Sequence, residues 1–109
     1  MTDQPDPRIP EPLLDLAEEW SPLFKLLGDP TRLRLLLAMH YLGPGQATVG
    51  ELAELTELRV ATASAALTHM AGVGVIRAER QGREVRYALV DVHAHEVLHY
   101  LGATHATPD

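Results

Sequence analysis

Between Asp29 and Gly74 the chain carries a close series of helix start and stop signals, and these fix the lengths of three helices before packing is considered. Asp29-Pro30 is a capping aspartate followed by proline at the first helical position, where its missing N–H costs nothing. TRLRLLLAMHYL follows, with Leu33, Leu36, Leu37 and His40 or Tyr41 at helical spacing. Gly43-Pro44-Gly45 ends it. Thr48 and Glu51 then form a capping box ahead of Leu52 and Leu55, which predicts a short helix over VGELAELT. A turn near Glu57–Arg59 leads into VATASAALTHM. There Val60, Ala63, Leu67 and Met70 are expected to face inward, and Thr62, Ala65, Thr68 and His69 outward. Gly72 and Gly74 close this helix.

VIRAER and REVRYAL read as two strands of a hairpin around Gln81-Gly82. Asp91 can cap a last helix running to about residue 102, with Ala94, Val97, Leu98 and Leu101 as its apolar face. At the other end Pro5, Pro7, Pro10 and Pro12 keep residues 1–12 out of regular structure. LLDLAEEW then places Leu13, Leu16, Ala17 and Trp20 on one helical face. Ser21-Pro22 predicts either a second short helix, PLFKLLG, or one bent helix. The expected organisation is an N-terminal tail over 1–12, one domain over 13–103 and a C-terminal tail over 104–109. The order of elements is mainly α with a β-hairpin, the outline of a winged helix-turn-helix.

A chain of 109 residues suits one domain with one modest core. No apolar run approaches the roughly 18 residues of a membrane span. The start, MTDQPDPRIPEP, lacks the basic and apolar parts of a signal peptide. With no cysteine, disulfides and thiolate metal sites are excluded, and a reducing cytoplasm is the simplest setting. The net charge of −6 argues against nucleic acid until its distribution is seen. Residues 1–58 hold four basic and ten acidic groups, residues 59–86 five arginines and two glutamates, and residues 87–109 three acids and no lysine or arginine. An acidic body with one basic tip can approach a polyanion in a single orientation.

GDPTRLRLLLAM resembles the DPTRLxIL segment of the ArsR/SmtB family of metal- and stress-responsive repressors. VGELAELTELRVATASAALTHMAGVGVI resembles that family's helix-turn-helix, and RAERQGREVRYAL its wing, in which R-x-G-R-x-x-x-Y-x-L is typical. The match covers roughly residues 20 to 100. It implies a homodimer packed through its first and last helices, double-stranded operator DNA bound by two recognition helices and two wings, and no enzymatic activity. Arginines 77, 80, 83 and 86 lie on the hairpin, where Arg77, Arg80, Arg83 and Arg86 can reach phosphates or the minor groove. Arg59 opens the recognition helix, whose N-terminus also attracts phosphate. Thr62, Ser64, Ala65, Thr68 and His69 are the candidates for base edges and sugar-phosphate. The family pattern resembles SQSxVSxHL. Here Ala65 and Ala66 stand where a polar residue and histidine are common, so direct readout is thin and specificity leans on the wings and on DNA shape.

DVHAHEVLHYLGATH gathers four of the six histidines. Metal-sensing relatives use an Asp-x-His on the last helix, which Asp91-Val92-His93 resembles, with two ligands from the partner helix eleven and fourteen positions on. Those positions are Thr104 and Thr107, poor ligands, and His105 lies one position off. A local alternative is Asp91, His95 and His99, spaced to line one helical face. Nitrogen and oxygen donors suit Zn(II), Ni(II) or Co(II), and disfavour copper(I) and arsenic(III). The same residues can also be solvated surface histidines, or a pH-sensitive set without metal. His40 is expected to pack near Tyr41 or cap carbonyls, and His69 to meet DNA or favour the helix dipole. The leading expectation is a dimeric repressor whose operator affinity is set by Ni(II) or Zn(II). The alternatives are a winged-helix regulator signalled by a partner protein or small molecule, and a dimeric adaptor or metal buffer. No nucleophile–base pair or phosphate-cradling loop points to an enzyme.

Overall fold

A computed structural model of the chain describes residues 8–106. It consists of α1 (Glu11–Leu27), α2 (Pro30–Leu42), β1 (Ala47–Thr48), α3 (Val49–Thr56), α4 (Val60–Gly72), β2 (Ile76–Gln81), β3 (Glu84–Leu89) and α5 (Val92–Tyr100). The three strands form one antiparallel sheet in the order β1-β3-β2. This is the mainly α winged helix-turn-helix that the sequence predicts. Among the described residues no helix is long and apolar enough to cross a membrane.

The caps behave as their residue types require. The Asp29 carboxylate accepts from the Arg32 N–H at 3.0 Å. Thr48 and Glu51 bond reciprocally, the Thr48 N–H to Glu51 Oε1 at 2.9 Å and the Glu51 N–H to Thr48 Oγ1 at 3.2 Å. Asp91 accepts from the Ala94 N–H at 2.8 Å. Each satisfies a donor that the first helical turn leaves unpaired.

Three expectations are corrected, and one pair of alternatives is decided. The irregular stretch ends earlier than residue 12, because Pro12 fits the first turn of α1 and needs no hydrogen bond there; residues 1–7 lie outside the described residues. Of the two readings of Ser21-Pro22, the single helix holds rather than a second short one. α1 runs through Pro22, held by the burial of Leu23, Leu26 and Leu27 against the core. Val60 is 55% exposed rather than inward-facing. It opens α4, and a side chain tilted back toward the helix start reaches past the end of the core. The hairpin turn is Gly82-Arg83 rather than Gln81-Gly82, since Gln81 pairs with Glu84. Gly82 takes a φ of 64°, the positive value that the first central residue of a tight two-residue hairpin turn demands. The two-residue strand β1, which extends the wing, was not visible in the sequence pattern; two residues carry no periodicity.

The core gathers Leu35, Leu36 and Met39 of α2, Leu52 and Ala53 of α3, Ala63, Leu67 and Met70 of α4, and Ala94 and Leu98 of α5. The turn between α3 and α4 closes on Glu57, which adopts the left-handed conformation at φ 59°. The Glu57 N–H bonds the Glu54 carbonyl at 3.2 Å, and the Leu58 N–H bonds the Ala53 carbonyl at 2.9 Å. Glycine is the usual residue for this cap, because a Cβ costs about 1–2 kcal/mol in that conformation. Glu57→Gly is therefore expected to raise stability by about 0.5–1 kcal/mol, the glycine's extra freedom when unfolded offsetting part of the gain. Urea unfolding followed by circular dichroism checks the sign.

Candidate nucleic-acid interface and metal centre

On α4 the side chains of Thr62, Ala65, Thr68 and His69 are exposed, Ser64 is half-buried, and Arg59 is exposed at the helix start. Ala63, Leu67 and Met70 hold the opposite face in the core. Ala66 packs partly against the core, so of the two alanines only Ala65 presents its methyl outward. His69 sits at the last turn and lines a cleft of about 590 Å³ with Glu19, Arg32, Asp91 and His93.

The four wing arginines divide into two pairs. The Arg86 Nη1 donates to the Gln46 carbonyl at 2.9 Å and its Nη2 to Glu84 at 2.8 Å, with Glu51 3.9 Å away. Arg77 is bound to Glu79 through its Nε at 2.8 Å. Both are committed to the protein's own groups. Arg80 and Arg83 are exposed, and Arg83 stands at the turn itself. An arginine at a hairpin tip is placed to meet phosphate or enter a minor groove.

The histidines of the C-terminal end fall into two groups. His93 Nε2 lies 2.8 Å from Glu19 Oε2 on α1, and its ring centroid is 4.2 Å from that of Trp20. The hydrogen bond to Glu19 raises the His93 pKa above its usual value; partial burial opposes this, and the negative charges of Glu19, Asp91 and Glu96 add to the rise. Asp91 serves as the cap of α5. His95, His99 and His105 lie elsewhere, around His40 of α2. The His40 ring centroid is 5.2 Å from His95, 5.0 Å from His99 and 4.2 Å from His105. His95 and His99, one helical turn apart, are 4.3 Å from each other.

His40 is the residue the sequence underrated. Its ring is 5% exposed, and neither nitrogen makes a hydrogen bond of good geometry. It does not cap carbonyls as expected. Burial, and then the neighbouring rings of His105, His99 and His95, push its pKa down, while the backbone of Thr104 pulls weakly the other way. One nitrogen from each of His40, His99 and His105 lies within 4.8 Å of the others. Imidazoles gathered in this way form a nitrogen-donor set for a borderline cation. A leucine-rich helix hides this role, because helical spacing alone makes His40 one more packed side chain. Thr104 is exposed and takes no place among these donors, and Thr107 lies outside the described residues.

A short helix, a tight turn, a second helix with an exposed polar face, and an arginine-tipped hairpin define a winged helix-turn-helix regulator. A helix-turn-helix domain family matches residues 27–79. The transcriptional regulator CmtR of Mycobacterium tuberculosis is 40% identical over 71 residues, 65% of this chain and 58% of CmtR. Its solution structure, that of a cadmium metal-sensor, superposes with a TM-score of 0.55 at 38% identity over 72% of this chain and 79% of that one. The transcriptional repressor SmtB of the same organism is 36% identical over 90 residues, 82% of this chain and 62% of SmtB. The antimony-specific transcriptional repressor AntR is similar in structure, with a TM-score of 0.66 and 34% identity over 79% of this chain and 75% of AntR. The chain belongs to the ArsR/SmtB family of winged-helix transcriptional regulators, which are not enzymes. Its matches span less than two thirds of the curated CmtR and SmtB sequences.

The His93–Glu19 pair ties α5 to α1 in a pH-dependent way. A histidine whose folded pKa is raised contributes stability that is complete below its unfolded value near 6.5 and is lost as pH rises through the folded value. Glu19→Gln should therefore destabilise the protein measurably at about pH 6 and have little effect at about pH 8.5. Denaturant midpoints of both proteins at the two pH values test this, and equal differences at both would remove the pair as the cause.

Proposed function

We propose that this chain is a homodimeric, cytoplasmic repressor whose affinity for double-stranded operator DNA is set by a transition metal, Zn(II) or Ni(II). The observation that carries this reading is the imidazole cluster seated on α2, the helix against which the helix-turn-helix packs. The family membership supplies the DNA-binding role; the donor chemistry supplies the ion. CmtR is a cadmium sensor and AntR is antimony-specific. Those soft ions favour sulfur, and this chain has no cysteine. Imidazole nitrogens suit zinc, nickel and cobalt instead. His95, His99 and His105 are the C-terminal candidates for ligands.

For DNA, the proposed contacts are Arg59 at the α4 N-terminus, Thr62, Ser64, Ala65, Thr68 and His69 along α4, and the wing arginines, with Arg80 and Arg83 the best placed. Arg77 and Arg86 would have to leave their present partners to reach phosphate. Dimerisation is supported by apolar side chains that the single chain leaves uncovered. Leu13, Leu16 and Phe24 on α1 are about half exposed, and Val92, Tyr100 and Leu101 near α5 are 68%, 90% and 56% exposed. Leu101, expected on the apolar face of the last helix, is thus left uncovered by the single chain.

Metal-linked control means that the ion binds one arrangement of the dimer better than another, and the shift in DNA affinity equals that difference. Fluorescence anisotropy of labelled DNA from upstream of the protein's own gene, with metal-free protein and then with Zn(II) or Ni(II), should show a change of roughly tenfold with one ion. Tight binding indifferent to both would abandon metal control. The cleft between His69 and His93 would then be where a small-molecule signal is sought. In the same assay Arg83→Ala should weaken binding and reduce the slope of log affinity against log salt by about one. An unaltered slope would take Arg83 off the phosphate backbone.

A further inference from the structure

The C-terminal segment beyond α5 does not run free. Gly102 takes a φ of 93°, and the Gly102 and Ala103 N–H groups bond the His99 and Leu98 carbonyls, each at 3.0 Å. This is the glycine-dependent cap that reverses a chain at a helix end. The reversal carries residues 103–106 back over α2. There the Ala106 N–H donates to the Tyr41 carbonyl at 2.8 Å, and Ala103 packs against the core. His105 is thereby laid 4.2 Å from His40. The expected tail over 104–109 is, through residue 106, a strap across α2.

We propose that His40, His99 and His105 of one chain, with His95 adjacent, form a complete intrachain chelate for Zn(II), Co(II) or Ni(II), and that the ion locks this strap onto α2. Three elements contribute: α2, the last turn of α5, and the reversed segment. The ion would supply a partner to one of the two buried ring nitrogens of His40, neither of which has one; a buried polar group left unpaired costs about 1–3 kcal/mol, which is why such groups are rare without a role. Three imidazoles and a fourth ligand, His95 or water, make the four-coordinate shell that zinc prefers. Small rotations must close the nitrogens from 4.8 Å, which two exposed side chains, His99 and His105, are free to make. His93 takes no part, being held by Glu19 and Trp20.

The consequence is a switch made inside the protomer. α2 packs against α3 and α4, so a strap fixed to α2 fixes α5 relative to the DNA-reading unit. This deepens the metal-responsive reading and rests on it for its biological role, while the chelate can be tested alone. Metal-free full-length protein is titrated with Co(II), and the visible d–d absorption is followed under competition with a chelator of known affinity. One ion per chain is expected, with the intense band of tetrahedral nitrogen coordination. His99→Gln and His105→Gln, both at exposed positions that the fold tolerates, should each weaken binding by roughly tenfold or more, since even outer-shell partners are worth about that much. His93→Gln should bind Co(II) as the parent does. An equal mixture of His99→Gln and His105→Gln chains, allowed to exchange subunits, should remain weak.

Recovery of tight sites in the mixture would overturn the intrachain chelate in favour of one shared between subunits. So would loss of binding in His93→Gln with binding kept in His105→Gln, or no Co(II) binding by the parent. If the chelate forms as described but leaves operator affinity unaltered, the metal-responsive reading fails and the site stands. If operator affinity responds to the ion in His105→Gln as in the parent, the strap's control of the DNA-reading unit fails and the metal-responsive reading stands.

Discussion

Leu35, Leu36 and Met39 lose essentially all contact with solvent, and the burial of this one helix organises the rest of the molecule. α2 packs against α1, α3, α4 and β3. Truncating any of the three side chains would leave a cavity costing about 2–5 kcal/mol, a large share of a small domain's stability. A helix packed on so many sides cannot shift for one neighbour without moving the others. That rigidity presents α4 at a fixed angle, and it also means that whatever is attached to α2 acts on the helix-turn-helix.

The position of His40 gains its meaning from this. One residue beyond Met39, it lies at the edge of the same buried face, where an apolar side chain would have completed the core at no electrostatic cost. An imidazole there is kept neutral by burial and by its histidine neighbours, and neutrality is the state in which it can donate a lone pair. The same chemistry would be unremarkable on the surface. Placed on the central helix, it gives a ligand a grip on the scaffold rather than on a loop.

The fold was legible because its punctuation is local. Asp29, Thr48 with Glu51, and Asp91 act within three residues of themselves, and their caps form as the residue types dictate. The candidate metal centre was half legible. The α5 histidines stand out by number, and His95 and His99 are one turn apart in any helix. His95 and His99 reach His40 from α5 itself, and a chain reversal at Gly102 adds His105, 65 positions from His40 in the sequence. No spacing rule reaches across that distance. Asp91 and His93 show a second kind of signal, whose partners in space the pattern does not foretell. Their pattern resembles a metal motif, yet the cap to Ala94 and the bond to Glu19 give both residues local partners.

The arginines show how a net charge can mislead about a surface. Counted along the sequence, the wing offers four equivalent cations. In space, Arg86 is spent on the Gln46 carbonyl, which fastens β3 to the segment before β1, and on Glu84 of its own strand. Arg77 is neutralised by Glu79. Among the described residues Arg80 and Arg83 keep exposed guanidinium groups without such a partner, and the outward face of α4 offers a methyl group and small hydroxyls. Such a surface has few donors with which to tell one base pair from another, but it can sense groove width through arginine and backbone path through hairpin angle. Discrimination in a protein so built rests on how rigidly the wing is held relative to α4. The Arg86 bond to the Gln46 carbonyl removes a cation from the wing's exposed set and, in exchange, ties β3 to the segment that leads into α3.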